Sequence, residues 1–439
     1  TYLDGIATDY LQKECCIAYP EWELGLQLFS EEQAERWSFD VLDPTKLIPE
    51  ELCPLRRVGR MVLDRNPDNF FAETEQVAFC TAHVVPGIDF SNDPLLAGRH
   101  HSYVDTQLSR LGGPNFHELP INAPLSPVAN NQRDGAHRQA IARGRVAYEP
   151  NSLGGGCPFQ AGMKGYVSFP APIEDADKMR GKPEKFAEHY AQARLFYNSL
   201  SVPEQNHMEA AFRFELSKVA VPAVRQRMVA GLRHVDEPLA RRLAEQLGVD
   251  LPDPLPLAID KPVSPEVATS VKLSQTAYPG DGGIATRKVA ILIADGVRGA
   301  GLLSMAQALA AEGAVPRFIA PRLGTVDSSG GKLPVDATLE NSPSVLFDAV
   351  IIPADDSSLA ALSVLGQVKD FIKDQYRHGK AIGLLAGQYE ALARLGLTLP
   401  GNEEALAGIV TLGSQPMQAF IDAVAQHRHP SRESDPPRV

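Results

Sequence analysis

The sequence predicts an α+β multidomain protein. Residues near the N-terminus alternate with a period of two, residues 183–248 carry apolar positions at helical spacing, and from about 287 strand-like apolar runs alternate with helices. The chain is 439 residues long, which fits about three domains.

Taken in order, residues 1–110 contain strand signals among many Pro, Gly and Asn residues. Trp22, Leu24, Leu26 and Leu28 face one way while Glu23, Gly25 and Gln27 face the other, which predicts a half-buried antiparallel strand. Val58–Leu63 and Phe70–Phe79 are further predicted strands. Residues 111–182 are rich in Pro and Gly without periodicity, the texture of a segment that wraps another surface. Residues 183–248 predict packed helices: Pro222 and Pro238 suit first turns, and Gly248 suits a stop. Residues 249–286, beginning Leu-Pro-Asp-Pro-Leu-Pro, form a linker. Residues 287–428 then predict a doubly wound α/β domain. Lys288–Asp295, Val315–Ala320, Ala349–Pro353 and Ala381–Leu385 are its strands, and Leu302–Ala311, Val368–Tyr376 and Met417–Gln426 its helices.

Composition narrows the function classes. The formal charge is −12 and no basic stripe with interleaved aromatics occurs, so nucleic acid and anionic membranes are poor partners. No apolar run is long enough to cross a bilayer. Five cysteines, at 15, 16, 53, 80 and 157, make no C-x-x-C pair, which points to reduced thiols in a cytoplasmic protein. Thr1 in place of Met suggests a processed or N-terminally incomplete chain, and an upstream signal could be missing with it.

Several motifs have plain structural readings. Asp295-Gly-Val-Arg-Gly-Ala-Gly301 follows a strand and opens a helix, but its spacing is not G-x-G-x-x-G and no acid ends the next strand. Gly154-Gly-Gly156 reads as a turn, and His427 with His429 reads as a solvated tail pair. The segment with chemistry in it runs from Asp93 to Arg110. Helical from about Pro94, it places Arg99 and Tyr103 four apart on one face. A guanidinium beside a phenol favours the anionic oxygen, and a phenolate is a hard ligand suited to ferric iron. Arg110 lies two turns further along that face, where it could meet a carboxylate. An Arg–Tyr pair at this spacing more often serves packing, so spacing alone leaves both readings open.

The pattern Arg99…Tyr103-Val-Asp-Thr-Gln107…Arg110-Leu-Gly112 resembles the proximal signature of the haem catalases. Asn66–Phe79, Val85–Asp89, Gln132–Gly135, Tyr148–Asn151 and Phe212–Lys218 are similar to further blocks of that family, and the appended α/β domain is similar to that of its large-subunit members. The resemblance implies part of the catalase antiparallel β-barrel with its proximal haem helix in 1–110, the wrapping segment in 111–182, the helical domain in 183–248 and a flavodoxin-like domain in 287–428. It also implies haem, of b or d type, with Tyr103 as the iron ligand, Arg99 holding it deprotonated, Arg110 on a propionate and Asp93 as a nearby acid. The implied reaction is disproportionation of hydrogen peroxide to water and oxygen by a homotetramer. The turn Ala381–Gly387 resembles the nucleophile elbow of class I amidotransferase and DJ-1-like domains, with Leu385 where those carry cysteine. His100-His101 replaces the family's usual Leu-Phe, and Cys80 stands where some large members have a histidine bonded to the tyrosine. No residue of the chain matches the family's distal His and Asn, so this stretch by itself is expected to be inactive. A non-enzymatic relative acting as an assembly module is the alternative.

Overall fold

The computed structural model describes residues 21–85, 88–125, 134–146, 148, 150–157, 159–162, 181, 183–277, 282–353, 355–385, 389–412 and 416–439, with only the backbone of Ala300. Cys15, Cys16, Pro86, Gly87, Gln132, Arg133, Glu149, Ala386 and Gly387, parts of the motifs above, lie outside these residues, as does most of 163–182. The described residues divide into two compact units: one lies within 23–198 and 219–270, the other comprises 21–22 and lies within 199–218 and 271–439.

In the first unit, β1 (Glu21–Leu26) pairs with β2 (Arg56–Val62) as a ribbon, and Arg57 meets Glu23 at 3.0 Å. Among the described residues this ribbon is all that appears of the expected barrel. The alternation in β1 is real, but the buried side is the reverse of expectation. Trp22, Leu24, Leu26 and Leu28 are 44–65% exposed, whereas Gly25, Gln27 and Phe29 turn inward. Gln27 explains the choice: its amide donates to the carbonyls of Ile48 (3.0 Å) and Cys53 (2.7 Å), anchoring the strand through a polar side chain. α1 (Glu31–Arg36) follows, started by a capping box in which Ser30 and Gln33 exchange hydrogen bonds.

The strand expected over Phe70–Phe79 is not formed. Phe71–Glu75 is a π-helical turn. The cause is local. The Asn69 amide oxygen accepts from Ala72 N at 3.1 Å while Glu73 accepts from Asn69 N at 2.9 Å, a reciprocal cap that closes the chain into a turn. Adjacent Phe70 and Phe71 also cannot both face one side of a strand.

Beyond it, α2 (Pro94–Leu111) is the longest helix of this unit, and α3 (Ala191–Ser199), α5 (Pro222–Leu232) and α6 (Glu237–Gln246) build the expected helical layer. Leu239, Ala240 and Leu243 of α6 are fully buried, as its apolar stripe requires. The intervening α4 (Val202–Ser217) belongs to the other unit. There Glu204, in its first turn, accepts from Ser201 N (2.9 Å), Ser274 Oγ (2.7 Å) and Gln275 N (2.8 Å). Burial opposes the charged carboxylate, but these donors outweigh it and hold its pKa down to about 2.

The second unit is a three-layer α/β/α domain. Its strands are β3 (Lys288–Leu292), β4 (Val315–Ala320), the hairpin β5 (Gly324–Ser328) and β6 (Gly331–Val335), β7 (Ala337–Thr338), β8 (Ala349–Ile352), β9 (Ala381–Leu384) and β10 (Ile409–Thr411). Apart from the hairpin they form one parallel sheet in the order β10-β9-β8-β3-β4-β7. Continuous apolar strands such as Ala349-Val-Ile-Ile352 need cover on both faces. α8 (Asp356–Ser363), α9 (Gly366–Arg377) and α10 (Glu390–Arg394) cover one face, packing Leu362, Phe371, Ile372 and Leu392 against Leu292 and Ile352. α7 (Gly299–Ala311) and α11 (Met417–Ala425) cover the other, packing Leu302, Leu309 and Phe420 against Ile291 and Ile351.

His429, read from sequence as solvated, is buried instead, and its Nε2 lies 3.0 Å from the Ala423 carbonyl. Burial lowers its pKa, which favours the neutral ring. Gly408 makes the space: at φ +72° its missing Cβ would stand only 2.1 Å from the imidazole.

Lys380 is also buried, donating to the carbonyls of Ser344 (2.9 Å) and Phe347 (2.6 Å). Burial first, and Arg428 second, lower its pKa from 10.5 to about 8. Between those two values the unfolded chain binds more protons than the folded one, so this group makes stability rise with pH there. Below about 8 its contribution is constant. Denaturant titrations of wild type and Lys380→Met across this window should diverge, with the rise missing in the variant. Parallel pH profiles would refute the assignment.

Candidate functional site

α2 begins where expected. Asp93 is its N-cap, accepting from Leu95 N at 2.8 Å, Pro94 occupies the first turn, and Gly112 ends it at φ +75°. Asp93 therefore has a local structural task whatever else it does. Along this helix Arg99 and Tyr103 come together: Nη2 of Arg99 donates to the Tyr103 hydroxyl at 3.3 Å, and the guanidinium carbon is 5.3 Å from the ring centre. The Phe79 ring meets Tyr103 edge-on at 5.0 Å between centres.

Arg110 does not join this pair. Its Nη1 donates to the Glu75 carbonyl at 2.6 Å, Nη2 to the Val77 carbonyl, and Nε to Gln107 Oε1 at 3.2 Å. These contacts fix the end of α2 to the π-helical turn, so most of the guanidinium fork is committed to two backbone carbonyls and Gln107. Gln107, the buried residue of α2, completes the clamp by donating to the Phe79 carbonyl at 3.1 Å. The sequence places Gln107 in the signature but assigns it no role of its own. Its spacing, four after Tyr103 and three before Arg110, was the available signal.

The two unusual histidines separate. His100 packs against Phe90 at 4.4 Å between ring centres, and its buried Nε2 has no partner among the described residues. His101 is exposed. Cys80 is a buried free thiol. In the second unit, the Gly-rich turn after β3 is structurally occupied: Arg298 N donates to Asp355 at 3.0 Å, its Nε meets that carboxylate at 2.7 Å, and Ser357 Oγ donates to the Gly296 carbonyl at 3.0 Å. Leu385, just after β9, donates its N–H to the Ile352 carbonyl at 3.1 Å and offers no nucleophile.

The donor set at Tyr103 fits a haem. A phenol oxygen lies beside a guanidinium, the Phe79 ring that meets Tyr103 is 57% exposed, and Val104 and Leu108 of the same helix are 38% and 40% exposed. Large apolar residues left open beside a hard oxygen ligand suit a flat apolar ring with a ferric centre. Among the described residues no helix is long and apolar enough to cross a membrane, and no group of three His, Cys, Asp or Glu side chains could hold a bare metal ion.

Residues 7–155 match the Catalase family profile, 183–247 the catalase-related immune-responsive profile, and 285–434 the profile for the C-terminal domain of long catalases. Similar proteins include Catalase HPII of Pseudomonas putida, 44% identical across 98% of this chain and 61% of the relative. Catalase HPII of Pseudomonas aeruginosa is 48% identical across 95% and 58%. Catalase-B of Dictyostelium discoideum is 43% identical across 95% and 60%. The chain spans about three fifths of the length of these curated relatives. With the three profiles in the order of its segments, the chain belongs to the family of large-subunit, or long, catalases.

Proposed function

We propose that this chain carries the proximal haem side of a catalase that disproportionates hydrogen peroxide to water and oxygen. The observation that carries this is the Arg99–Tyr103 hydrogen bond on a helix whose apolar neighbours are left open. Tyr103 would hold the iron through its phenol oxygen, and haem, when bound, supplies the redox chemistry. Arg99 places positive charge beside that oxygen and so favours its anionic, ligating form. Phe79 limits rotation of the Tyr103 ring, while Gln107 and Arg110 fix the helix to the segment Glu75–Phe79. Arg110 then acts first as a clamp; a propionate contact would use what remains of its fork.

The segments proposed for this work are the barrel portion 1–110, the wrapping segment 111–182, the helical domain 183–248, the linker 249–286 and a C-terminal flavodoxin-like domain 287–428. What supports the helical and C-terminal segments is that two matched profiles, over 183–247 and 285–434, lie close to them. Likeness to the family is what supports a cytoplasmic homotetramer.

The test is a titration of the purified chain with haem, followed by absorption. A saturable Soret band at one haem per chain is expected, and its absence would show that these residues do not hold the cofactor. With no counterpart of the family's distal His and Asn, the loaded chain is expected to evolve no oxygen from peroxide above free haem. Turnover at the rate of a complete catalase would overturn that part of the reading.

A further inference from the structure

The C-terminal unit contains a cavity of about 1180 Å³ that shares no lining residue with the tyrosine site. Its wall is unevenly charged. Arg377, His378, His427, Arg428 and Arg438 line it, opposed by Glu204 and Glu433. Both carboxylates are already engaged. Glu204 accepts from Ser201, Ser274 and Gln275, and Glu433 meets His207 Nε2 at 2.5 Å. Arg432, also on the wall, spends its donors on backbone carbonyls.

The other guanidiniums are not so satisfied. Arg377 donates only through Nε, to the Val439 carbonyl, and Arg428 only through Nη1, to the His427 carbonyl at 2.9 Å. The Arg438 side chain has no hydrogen-bond partner among the described residues, nor does the buried Tyr376 hydroxyl on the same wall. Arg428 is only partly exposed and burial opposes its charge; the Asp348 carboxylate supports it from a distance, but no ion pair of Arg428 forms within 4 Å among the described residues, which leaves room for an anion to complete it. Several forked cationic donors around a space of this size match a polyvalent oxyanion better than a single carboxylate.

We propose that this cavity binds a phosphate-bearing anion through Arg377, Arg428 and Arg438. Two sources share that chemistry, inorganic pyrophosphate and the diphosphate of a nucleotide, and calorimetric titration of the whole chain with pyrophosphate and with adenosine diphosphate separates them. Saturable binding of pyrophosphate supports the site, and tighter binding of the nucleotide assigns it to a phosphate ester. Arg438→Gln, at an exposed side chain that folding does not need, should weaken binding by roughly tenfold. Arg428→Gln should weaken it at least as much, while Arg322→Gln, outside the cavity, should leave it unchanged. Equal heats from sulfate at matched ionic strength, or equal affinity in Arg438→Gln and wild type, would overturn the proposal.

Discussion

Tyr103→Phe, made in the chain extended to the length of its relatives, is expected to abolish haem retention and peroxide turnover while leaving the fold intact. Among the described residues the phenol oxygen makes one hydrogen bond, from Arg99 at 3.3 Å. Losing that contact costs about 1 kcal/mol of stability. The ring itself, with its edge-on contact to Phe79, is preserved in phenylalanine. The effect on haem is of another size, because the only proposed iron ligand is gone. Changes in residues that merely support a ligand cost roughly 10–100-fold in affinity. Removal of the ligand should exceed that, whereas Arg99→Leu should fall inside it. Haem content per chain and oxygen evolution measure the first effect, and thermal melting measures the second. Unchanged turnover in Tyr103→Phe would remove Tyr103 as the ligand, and a collapsed melt would make the result one about folding.

Arg432→Met should be the most damaging single change in the C-terminal unit. Arg432 is buried, and its head donates to the carbonyls of Tyr376 (3.0 Å), Gln375 (3.1 Å), Ala407 (2.7 Å) and Lys380 (2.5 Å). Its guanidinium carbon also lies 4.7 Å from the centre of the Tyr376 ring. Burial lowers its pKa to about 10, so it remains charged at neutral pH. These bonds tie the end of α9 and the start of β9 to the segment before β10. Methionine fills similar space but leaves those carbonyls without a donor, each costing about 1–3 kcal/mol if water cannot reach it. Partial rehydration makes the total on the order of 4 kcal/mol, read as a lowered urea midpoint. Arg432→Lys should recover only part, because an ammonium cannot span the same fork. A loss below about 1 kcal/mol in Arg432→Met would mean that water replaces the guanidinium freely.

How much of this was legible beforehand differs along the chain. In the C-terminal domain, strands of unbroken apolar residues alternate with helices, and the central strands β8 and β9 are buried throughout. The pattern therefore carries the architecture. In the N-terminal region the alternation of Trp22–Leu28 was visible, yet which face turns inward was not. That choice rests on Gln27 reaching carbonyls at 48 and 53, contacts distant in sequence. Phe70–Phe79 was misread because Asn69 and Glu73 trap a turn, a local polar exchange that hydrophobic periodicity does not register.

The same division holds at the candidate site. The sequence by itself determined the helix from Asp93 to Gly112 and the meeting of Arg99 with Tyr103, because a helix of 3.6 residues per turn brings side chains four apart into contact. It also determined the alternating order of the C-terminal unit. Only the tertiary structure decided that Arg110 bends away to the carbonyls of Glu75 and Val77, that His100 turns to Phe90, and that His429 is buried against Gly408. Each of those outcomes depends on which unpaired backbone group or open space a distant segment presents, and spacing along the chain carries no record of that.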